Sequence, residues 1–374
     1  MAKAVYVGVG SKARKMKKAY IGIGGKARKV KKMYIGVGGK ARLCYSAELE
    51  KVGMAAALST TRYDMRAATV GKYALFAGGL ARKSSFGYSV SSSVDAYNTS
   101  LTKSTPTELS CKRCGHAAAS VGGYALFAGG ASSYNILGFY ENLVSAVDAY
   151  DASLTRSAAH IIGVTVAIGG AAVGNYALFA GGTVYSQVNK DNVTSDVLAY
   201  DPSLTFTTAP LLSVARANVK GASAGNYALF AGGRAGSFCT TVDAYNASLT
   251  RTTATALSST KNNSAAATVG NHAIFVGNTA SADIYDASLT KTSAAILSTA
   301  RTGLAATTVG DYAIFSGGGV ADFCDASLTR SSIGTSMTGY DMGAATIGDY
   351  ALFAGGHSGE KSDTAYDSVE VYTA

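Results

Sequence analysis

A nine-residue sequence close to Gly-x-Tyr-Ala-Leu-Phe-Ala-Gly-Gly occurs seven times along this chain, and it constrains the fold more than any other feature. The first copy, GKYALFAGG, begins at residue 71, and the last, GDYALFAGG, begins at residue 348. Successive copies begin 38 to 52 residues apart. A repeat of this length is typical of a domain built from stacked copies of one supersecondary unit, so we expect one repeat domain.

Each copy lies between two further repeated phrases that also predict strands. Before it come small and β-branched residues, as in RAATV at 66–70, and after it comes VDAYDASLT or a close variant, as at 147–155. Short apolar runs bounded by glycine are typical of β-strands. We therefore expect four strands in each unit: a (RAATV), b (YALFA), c (VDAYD) and d, which follows SLT.

The units resemble kelch repeats, which share this length, the double glycine and a downstream Tyr-Asp pair. The resemblance covers residues 53–374 and implies an all-β protein, a seven-bladed kelch-like β-propeller preceded by a short β-strand repeat arm. One departure is that this chain has no Trp, which kelch blades usually carry after the Tyr. We therefore expect Tyr, Phe and Leu to pack the blades.

The last unit ends after strand c, at Ala374, so its fourth strand must come from elsewhere in the chain. Residues 54–70 align with 105–121, a stretch expected to hold a strand d followed by a strand a. We expect residues 54–60 to pair with 367–373 and so close the ring of a propeller domain spanning 47–374. Closure of this kind removes free sheet edges.

The connections between strands b and c vary most in length, and in an up-down blade they emerge on the same face as the d–a connections. Exposed aromatic rings beside Asn and Ser suit a surface that binds sugar or protein. The alternative is that the rings form small local cores within the loops. The candidate ligand-binding aromatics are Phe86, Tyr88, Tyr134, Phe139, Tyr140, Tyr185 and Phe238.

A cation also recurs eleven residues before the first residue of strand b in five of the seven units. If these cations were exposed on one rim of the propeller, they would bind an anionic ligand, and each Arg could do so through two parallel hydrogen bonds, a bidentate contact. The alternative, favoured by the kelch resemblance, is a structural cation that bonds carbonyls of a neighbouring blade. The five residues are Arg62, Arg113, Arg216, Lys261 and Arg301; Thr165 and Gly339 occupy the other two positions.

The sequence offers no candidate catalytic set, so we expect a protein that is not an enzyme and uses no cofactor or metal. No nucleophile–base–acid combination recurs, and Cys111-Lys-Arg-Cys114 is only half of a zinc site. Some kelch propellers are copper oxidases, but their paired Tyr and His ligands cannot be assembled from these four histidines. No apolar run reaches 18 residues, so we expect no membrane insertion.

Residues 1–46 form a basic arm built from 14-residue repeats such as YIGIGGKARKVKK. The arm holds 13 Lys or Arg and no acid, whereas the remaining 328 residues hold 20 Lys or Arg and 23 acids. We expect strands over 14–23 and 28–37, arranged as a meander, a parallel coil or strands shared between subunits. Parallel stacking keeps the apolar halves together, and a meander does not. The candidate partner-docking residues are Tyr6, Tyr20, Tyr34, Arg14, Arg28 and Arg42.

Arm and body together resemble tail-associated proteins of phages and prophages of Gram-positive bacteria. The resemblance implies a structural protein of the virion, made in the host cytoplasm without a signal peptide. Its arm would dock to other virion or tail proteins, and its propeller would bind a host cell-surface ligand such as a glycan.

We also expect a homo-oligomer, and we expect nucleic acid not to be the arm's partner because phosphate binding does not require its fixed period. The alternatives are a cytoplasmic kelch scaffold that binds a protein and a secreted carbohydrate-active enzyme.

Overall fold

The computed structural model describes most of the chain, and within it every regular element is a β-strand. The described residues are 6–9, 12–15, 19–23, 26–30, 32–37, 40–46, 48–84, 87–160, 163, 165–166, 168–184, 192–261, 265–359 and 364–374. No helix that could cross a membrane is found among them.

Seven antiparallel four-stranded sheets form the body, and each is one blade of a β-propeller. The predicted seven-bladed propeller is therefore confirmed.

Each blade contains the four expected strands, a to d. Strands a are Arg66–Val70, Ala117–Val121, Gly169–Val173, Lys220–Ala224, Ala265–Val269, Ala305–Val309 and Gly343–Ile347. Strands b are Tyr73–Ala77, Tyr124–Ala128, Tyr176–Ala180, Tyr227–Ala231, His272–Val276, Tyr312–Gly317 and Tyr350–Ala354. Strands c are Val94–Asn98, Val147–Asp151, Val197–Tyr200, Val242–Asn246, Ser281–Tyr285, Val320–Asp325 and Val369–Thr373. Strands d are Lys103–Ser104, Arg156–Ala158, Phe206–Ala209, Arg251–Ala254, Lys291–Ala295, Arg330–Gly334 and Glu50–Met54.

Among the described residues, three b–c connections carry small hairpins of their own. They pair Leu80–Ser84 with Gly87–Val90, Ala131–Tyr134 with Tyr140–Leu143, and Arg234–Ala235 with Ser237–Phe238.

Alternation along strand b decides how neighbouring blades pack. In blade 2, Phe127 and the strand-c residue Tyr150 pack against blade 1, where they meet Leu75 and Ala96. The two rings lie edge to face with centroids 5.9 Å apart. Successive residues of a strand point to opposite faces, so each YALFA sequence supplies a Phe to one interface and a Leu to the next. Tyr, Phe and Leu thus fill the interfaces in a chain that has no Trp.

The double glycine after strand b permits a close approach of the neighbouring d–a connection. Gly78 and Gly79 have φ values of 64° and 101°. A Cβ on Gly78 would lie 2.5 Å from the carbonyl oxygen of Arg113, and one on Gly79 would lie 2.6 Å from that of Tyr63. Only glycine meets both the backbone and the space requirements.

The ring is closed by strand Glu50–Met54, which pairs antiparallel with Val369–Thr373. The predicted closing strand, 54–60, was therefore placed about four residues too late. The reason is that strands d begin directly after SLT, so the aligned stretch from 105 onward already belongs to the d–a connection. Residues 55 and 58 still donate backbone hydrogen bonds, each 2.8 Å long, to the carbonyls of Val369 and Asp367.

Strands a surround a central channel of about 410 Å³, and hydroxyl groups along its wall join the blades. The Ser120 hydroxyl donates to the Thr69 carbonyl, 2.7 Å away, and the Thr69 hydroxyl donates to the Thr346 carbonyl, 2.6 Å away. The same bond recurs around the ring, and we call these six residues the hydroxyl belt: Thr69, Ser120, Ser223, Thr268, Thr308 and Thr346. Blade 3 has Ala172 at this position, so the belt is interrupted there.

In the arm, each repeat forms an antiparallel hairpin. The pairs are Tyr6–Val9 with Lys12–Lys15, Tyr20–Ile23 with Lys26–Lys29, and Lys32–Val37 with Lys40–Ser46. Tyr6, Tyr20 and Tyr34 are thus opposite Lys15, Lys29 and Leu43, while Arg14, Arg28 and Arg42 are opposite Val7, Ile21 and Ile35. The predicted continuous strands over 14–23 and 28–37 are wrong, because Ala19 and Val30 lie outside the strands and are hydrogen-bonded to each other. Each apolar half therefore pairs with the basic half that follows it in the chain, rather than with a neighbouring repeat.

Candidate functional site

The five cations predicted to bind an anionic ligand lie inside the blades, and this corrects the prediction. Arg62, Arg113 and Arg216 have no exposed surface, and Lys261 is 4% exposed. Each cation is paired with the Asp of strand c in its own blade. The pairs are Arg62–Asp95 at 2.8 Å, Arg113–Asp148 at 2.5 Å, Arg216–Asp243 at 2.9 Å, Lys261–Asp283 at 3.4 Å, and Arg301–Asp322. Buried and neutralised charges of this kind are not available to a ligand.

Two further residues complete the surroundings of each buried Asp. In blade 4, Asp243 accepts hydrogen bonds from the amide and hydroxyl of Ser213, three residues before Arg216. Arg251, which opens strand d, lies 3.2 Å from the same carboxylate. We call this set of Asp, Ser and two cations the ion cluster, and it satisfies a carboxylate that would otherwise be costly to bury.

Blade 3 lacks every charged member of the ion cluster. Thr165, Leu198 and Phe206 replace the first cation, the Asp and the second cation. The Phe206 ring stacks on His160, with centroids 4.4 Å apart, and packs with Tyr200. The three positions have therefore changed together from a charged set to an apolar one.

The predicted binding aromatics of blades 1 and 2 form a cluster rather than separate exposed rings. Tyr134 packs edge to face on Tyr88 and Tyr140, with centroids 5.0 and 5.1 Å apart. The cluster covers the buried Leu80 and Cys114, as the local-core alternative predicts. All three rings remain half-buried, so part of each faces solvent.

The remaining predicted aromatics do not join this cluster. Phe139 is half-buried on the blade 2 hairpin, and Phe238 is 42% exposed at the end of the blade 4 hairpin. The Phe86 and Tyr185 predictions fall outside the described residues.

Tyr140 leans over the mouth of the central channel, where a cleft of about 280 Å³ opens. We call it the mouth cleft. Its walls are Tyr63, Asp64, Arg66, Leu80, Tyr134, Tyr140, Asn218, Lys220, Gly303, Leu304, Asp341 and Met342. Blades 1 and 4, nearly opposite in a seven-membered ring, both contribute, so the cleft lies across the propeller axis.

Asp64 organises one wall of the mouth cleft. Its carboxylate pairs with Arg66 at 2.9 Å and accepts hydrogen bonds from the Tyr140 hydroxyl at 3.1 Å and the Gly115 amide at 2.9 Å. Gly115 has no side chain to obstruct Tyr140, since a Cβ there would lie 2.7 Å from the ring. Burial, and then the charge of Asp64, raises the pKa of Tyr140 well above its usual value, so its hydroxyl remains a donor.

Asp341 occupies the equivalent position in blade 7 and is half-exposed, at 49% of its side chain. Its backbone carbonyl accepts a hydrogen bond from the Asp64 amide at 2.9 Å, which joins the two walls. Its carboxylate lies 3.2 Å from Nε2 of His357. Although half of its side chain is exposed, desolvation by the surrounding cleft walls opposes ionisation of Asp341. The contact with His357 and the nearby cations outweigh this effect and lower its pKa on balance.

Lys220 reaches the mouth cleft from strand a of blade 4. Burial, and then the charge of Arg66, lowers the pKa of its amine to about 8, and Asp341 and Asp64 partly oppose the shift. The cleft thus combines two cations, two carboxylates and tyrosine hydroxyls at the mouth of a rigid ring. Such a set can hold a small polar ligand by several converging hydrogen bonds.

The described residues include no group of three or more His, Cys, Asp or Glu side chains that could hold a metal ion. The chain matches no model of a known protein family and no curated protein.

Sequence reasoning missed Asp64, Arg66, Lys220 and Asp341 as candidate binding residues. One signal was present: the tripeptide Tyr-Asp-Met occurs at 63–65 and again at 340–342, each time just before a strand a. Both Asp residues have a φ of 51°, a left-handed conformation that Asp tolerates better than most residues. The arm residues predicted to dock a partner lie on the hairpins described above, and their docking role stays a prediction.

Proposed function

We propose that this chain is a non-enzymatic attachment protein of a virion or phage-tail-like particle, whose propeller binds a host cell-surface glycan in the mouth cleft. The observation that carries the proposal is the cleft itself. It lies on the face that bears the long b–c hairpins, and its carboxylates and tyrosine hydroxyls match the donors and acceptors of sugar hydroxyls. Loops on a rigid scaffold commonly carry binding sites.

The different charges of the arm and the body support separate roles for them, attachment for the arm and ligand binding for the propeller. The arm's 13 cations have no acid among them, while the body carries a small excess of acid. An isolated arm would concentrate repelling charge, and an acidic surface on a particle protein would relieve that repulsion. The arm therefore docks and the propeller presents its loop face outward.

A glycan array probed with the full-length chain tests the sugar-binding half of the proposal. We expect binding to a subset of glycans and its loss in Asp341→Ala, which removes a half-exposed acceptor from the cleft. Asp196→Ala is the matched control, since Asp196 is an exposed carboxylate on the loop of blade 3, outside the cleft. Equal binding by both variants, or no binding to any glycan, contradicts the proposal.

Sedimentation of native particles tests the attachment half. The chain should co-sediment with the particle, and a version lacking residues 1–46 should not. A soluble monomer found apart from any particle contradicts the attachment role. It does not affect the sugar-binding role, which the glycan array tests separately.

A protein ligand is the second candidate, and exposed apolar side chains at the hairpin ends favour it. Ile136 and Leu137, at the end of the blade 2 hairpin, are 60% and 74% exposed. Apolar side chains in that position suit a protein surface better than a glycan. Ile136→Ser with Leu137→Ser distinguishes the two, because it should weaken attachment to cells only if the receptor is a protein.

A further inference from the structure

Two long cations at the channel mouth stand where the other described blades have small residues. Lys220 opens strand a of blade 4 and Arg66 opens strand a of blade 1. The equivalent residues elsewhere are Ala117, Gly169, Ala265, Ala305 and Gly343. The small residues leave the space that forms the cleft. The two cations give the cleft its positive groups, although five blades form without a cation at this position.

These two cations differ in how their charge is used. Arg66 is paired with Asp64 at 2.9 Å and also donates to the Met65 carbonyl at 3.1 Å. The side chain of Lys220 makes no hydrogen bond and no ion pair with any other described residue, although it is partly buried. Asp64 and Asp341 oppose the effect of burial without contacting the amine directly, so a ligand anion in contact with it would relieve a remaining penalty.

The carboxylates restrict which anion can enter. Asp64 already accepts three contacts, while Asp341 is half-exposed and free to accept more. Both would repel a doubly charged phosphate, which carries about −1.5 to −2 charges near neutral pH. A single carboxylate on a ring of hydroxyls meets less repulsion, and its hydroxyls can donate to Asp341. A volume of about 280 Å³ is just below the range of drug-sized ligand sites, about 300–1,000 Å³, and so suits a smaller ligand such as one sugar ring.

We infer that the mouth cleft binds a carboxylated monosaccharide unit, such as a uronic acid, with its carboxylate on Lys220 and its hydroxyls on Asp341. This inference rests on the proposed glycan-binding function and names the class of sugar. It also assigns Lys220 as the residue that distinguishes acidic sugars from neutral ones.

Calorimetric titration of the full-length chain with matched sugars tests the inference. The probes are the methyl glycosides of glucuronate and galacturonate, the neutral glucoside and galactoside, and glucose 6-phosphate. At least one uronide should bind about 10- to 100-fold more tightly than its neutral partner, the factor expected for a hydrogen bond to a charged group. Lys220→Gln should abolish that preference, whereas Lys72→Gln, a change of an exposed Lys in an a–b turn, should not.

The outcomes separate this inference from the proposed function. Equal affinity for neutral and acidic sugars, or an unchanged preference in Lys220→Gln, overturns the role of Lys220 and leaves glycan binding intact. Tighter binding of the sugar phosphate than of the uronides overturns the choice of carboxylate. No binding of any sugar here or on the array overturns both. Because the Lys220 side chain makes no bond in the described fold and burial penalises its charge, Lys220→Gln should melt at or above the wild-type temperature. Such a melt excludes misfolding as the cause of a lost preference.

Discussion

Lys51 and Glu370, near opposite ends of the propeller sequence, form an ion pair with 2.5 Å between Nζ and Oε1. Glu370 is wholly buried and also accepts hydrogen bonds from the Thr335 hydroxyl, the Ser336 amide and the Tyr372 hydroxyl. Lys51 occupies the place in strand d that a cation holds in five other blades. Blade 7 is therefore completed by charge as well as by backbone hydrogen bonds, and only when the two ends of the propeller meet.

Truncation at two nearby points should show which residues close the ring. Removing residues 1–47 retains Leu49, which is buried, and all of strand Glu50–Met54, so we expect a melting curve like that of the full chain. Removing residues 1–54 exposes the edge of Val369–Thr373 and leaves Glu370 without Lys51. We expect loss of cooperative melting, measured by circular dichroism. Matching curves for the two deletions would refute the assigned closing strand.

Lys51→Met should lower stability in a pH-dependent way. Burial opposes ionisation of Glu370, but hydrogen bonds led by Lys51 lower its pKa below 4.5 on balance. A lowered carboxyl pKa stabilises the fold above pH 4.5, and that stability is lost as the pH falls through the folded-state value. The variant should therefore lose about 1–3 kcal/mol at pH 7, because Glu370 keeps its other donors. The difference from wild type should shrink below pH 4; a constant difference in urea melts from pH 7 to pH 3 would argue against the ion pair.

Grafting blade 3 residues into blade 4 should show that the ion cluster behaves as one unit. Asp243→Leu alone leaves Arg216 buried without a counter-ion, and removal of one partner of a buried pair costs about 3–5 kcal/mol. Arg216→Thr, Asp243→Leu and Arg251→Phe together copy blade 3 and remove both unpaired cations. We expect the triple variant to recover most of the loss in denaturant melts. A triple variant as unstable as the single one would show that the charges are needed individually.

The hydroxyl belt offers a matched pair of changes in opposite directions. Thr346→Ala removes the donor to the Thr308 carbonyl and should cost about 0.5–1.5 kcal/mol, the net contribution of one hydrogen bond. Ala172→Ser places a hydroxyl at the interrupted position, where the channel wall is exposed, and should gain a similar amount. Thermal melting measures both. Destabilisation by Ala172→Ser would mean that blade 3 does not follow the geometry of the other six.

Binding of an acidic sugar should weaken above pH 8. Lys220 has a pKa of about 8, so its positive charge is present below that pH and is lost as the pH rises through it. The charged groups that face it are Arg66, Asp64 and Asp341. The pKa of Arg66 is raised on balance against burial, and that of Asp341 is lowered on balance, so both shifts lead away from this pH range. Affinity measured by titration should fall by up to about tenfold per pH unit above pH 8. Lys220→Gln should give a flat profile.

The tyrosines near the cleft should not contribute to the pH dependence of sugar affinity between pH 8 and 10. Burial, and then Asp64, raises the pKa of Tyr134 to about 12, and burial raises that of Tyr63 further. A decline in affinity that persists in Lys220→Gln would assign the titration to another group and remove Lys220 from the site.

The fold was predictable because each repeated phrase forms the same strand or turn in nearly every blade. The short apolar run YALFA, bounded by glycine, indicated a strand, and the double glycine after it supplies the room for the close backbone approach at Gly78 and Gly79. The closing strand was misplaced because EKVGM at 50–54 shares no phrase with the other strands d; only Lys51, in the position of a strand-d cation, indicates its register.

The contact between each cation and the Asp of strand c also has a signal in the sequence. Blade 3 lacks both the cation and the Asp of strand c, through Thr165 and Leu198, which indicates that the two residues contact each other. The mouth cleft was not readable in this way. Asp64, Lys220 and Asp341 belong to different blades, and only the curvature of the closed ring brings them to one opening.

The ion cluster also constrains how this sequence can diverge. Loss of the Asp alone leaves a buried cation unpaired, so we expect changes made one member at a time to meet a stability barrier. Recombination between repeats avoids that barrier, since a whole blade arrives with all its partners. Two balanced alternatives to the full ion cluster occur in this molecule: the apolar set of blade 3, and blade 7, where Glu370 pairs with Lys51 and Gly339 replaces the first cation. We therefore expect substitutions at exposed positions of the b–c hairpins to be tolerated more readily than substitutions in the ion clusters beneath them.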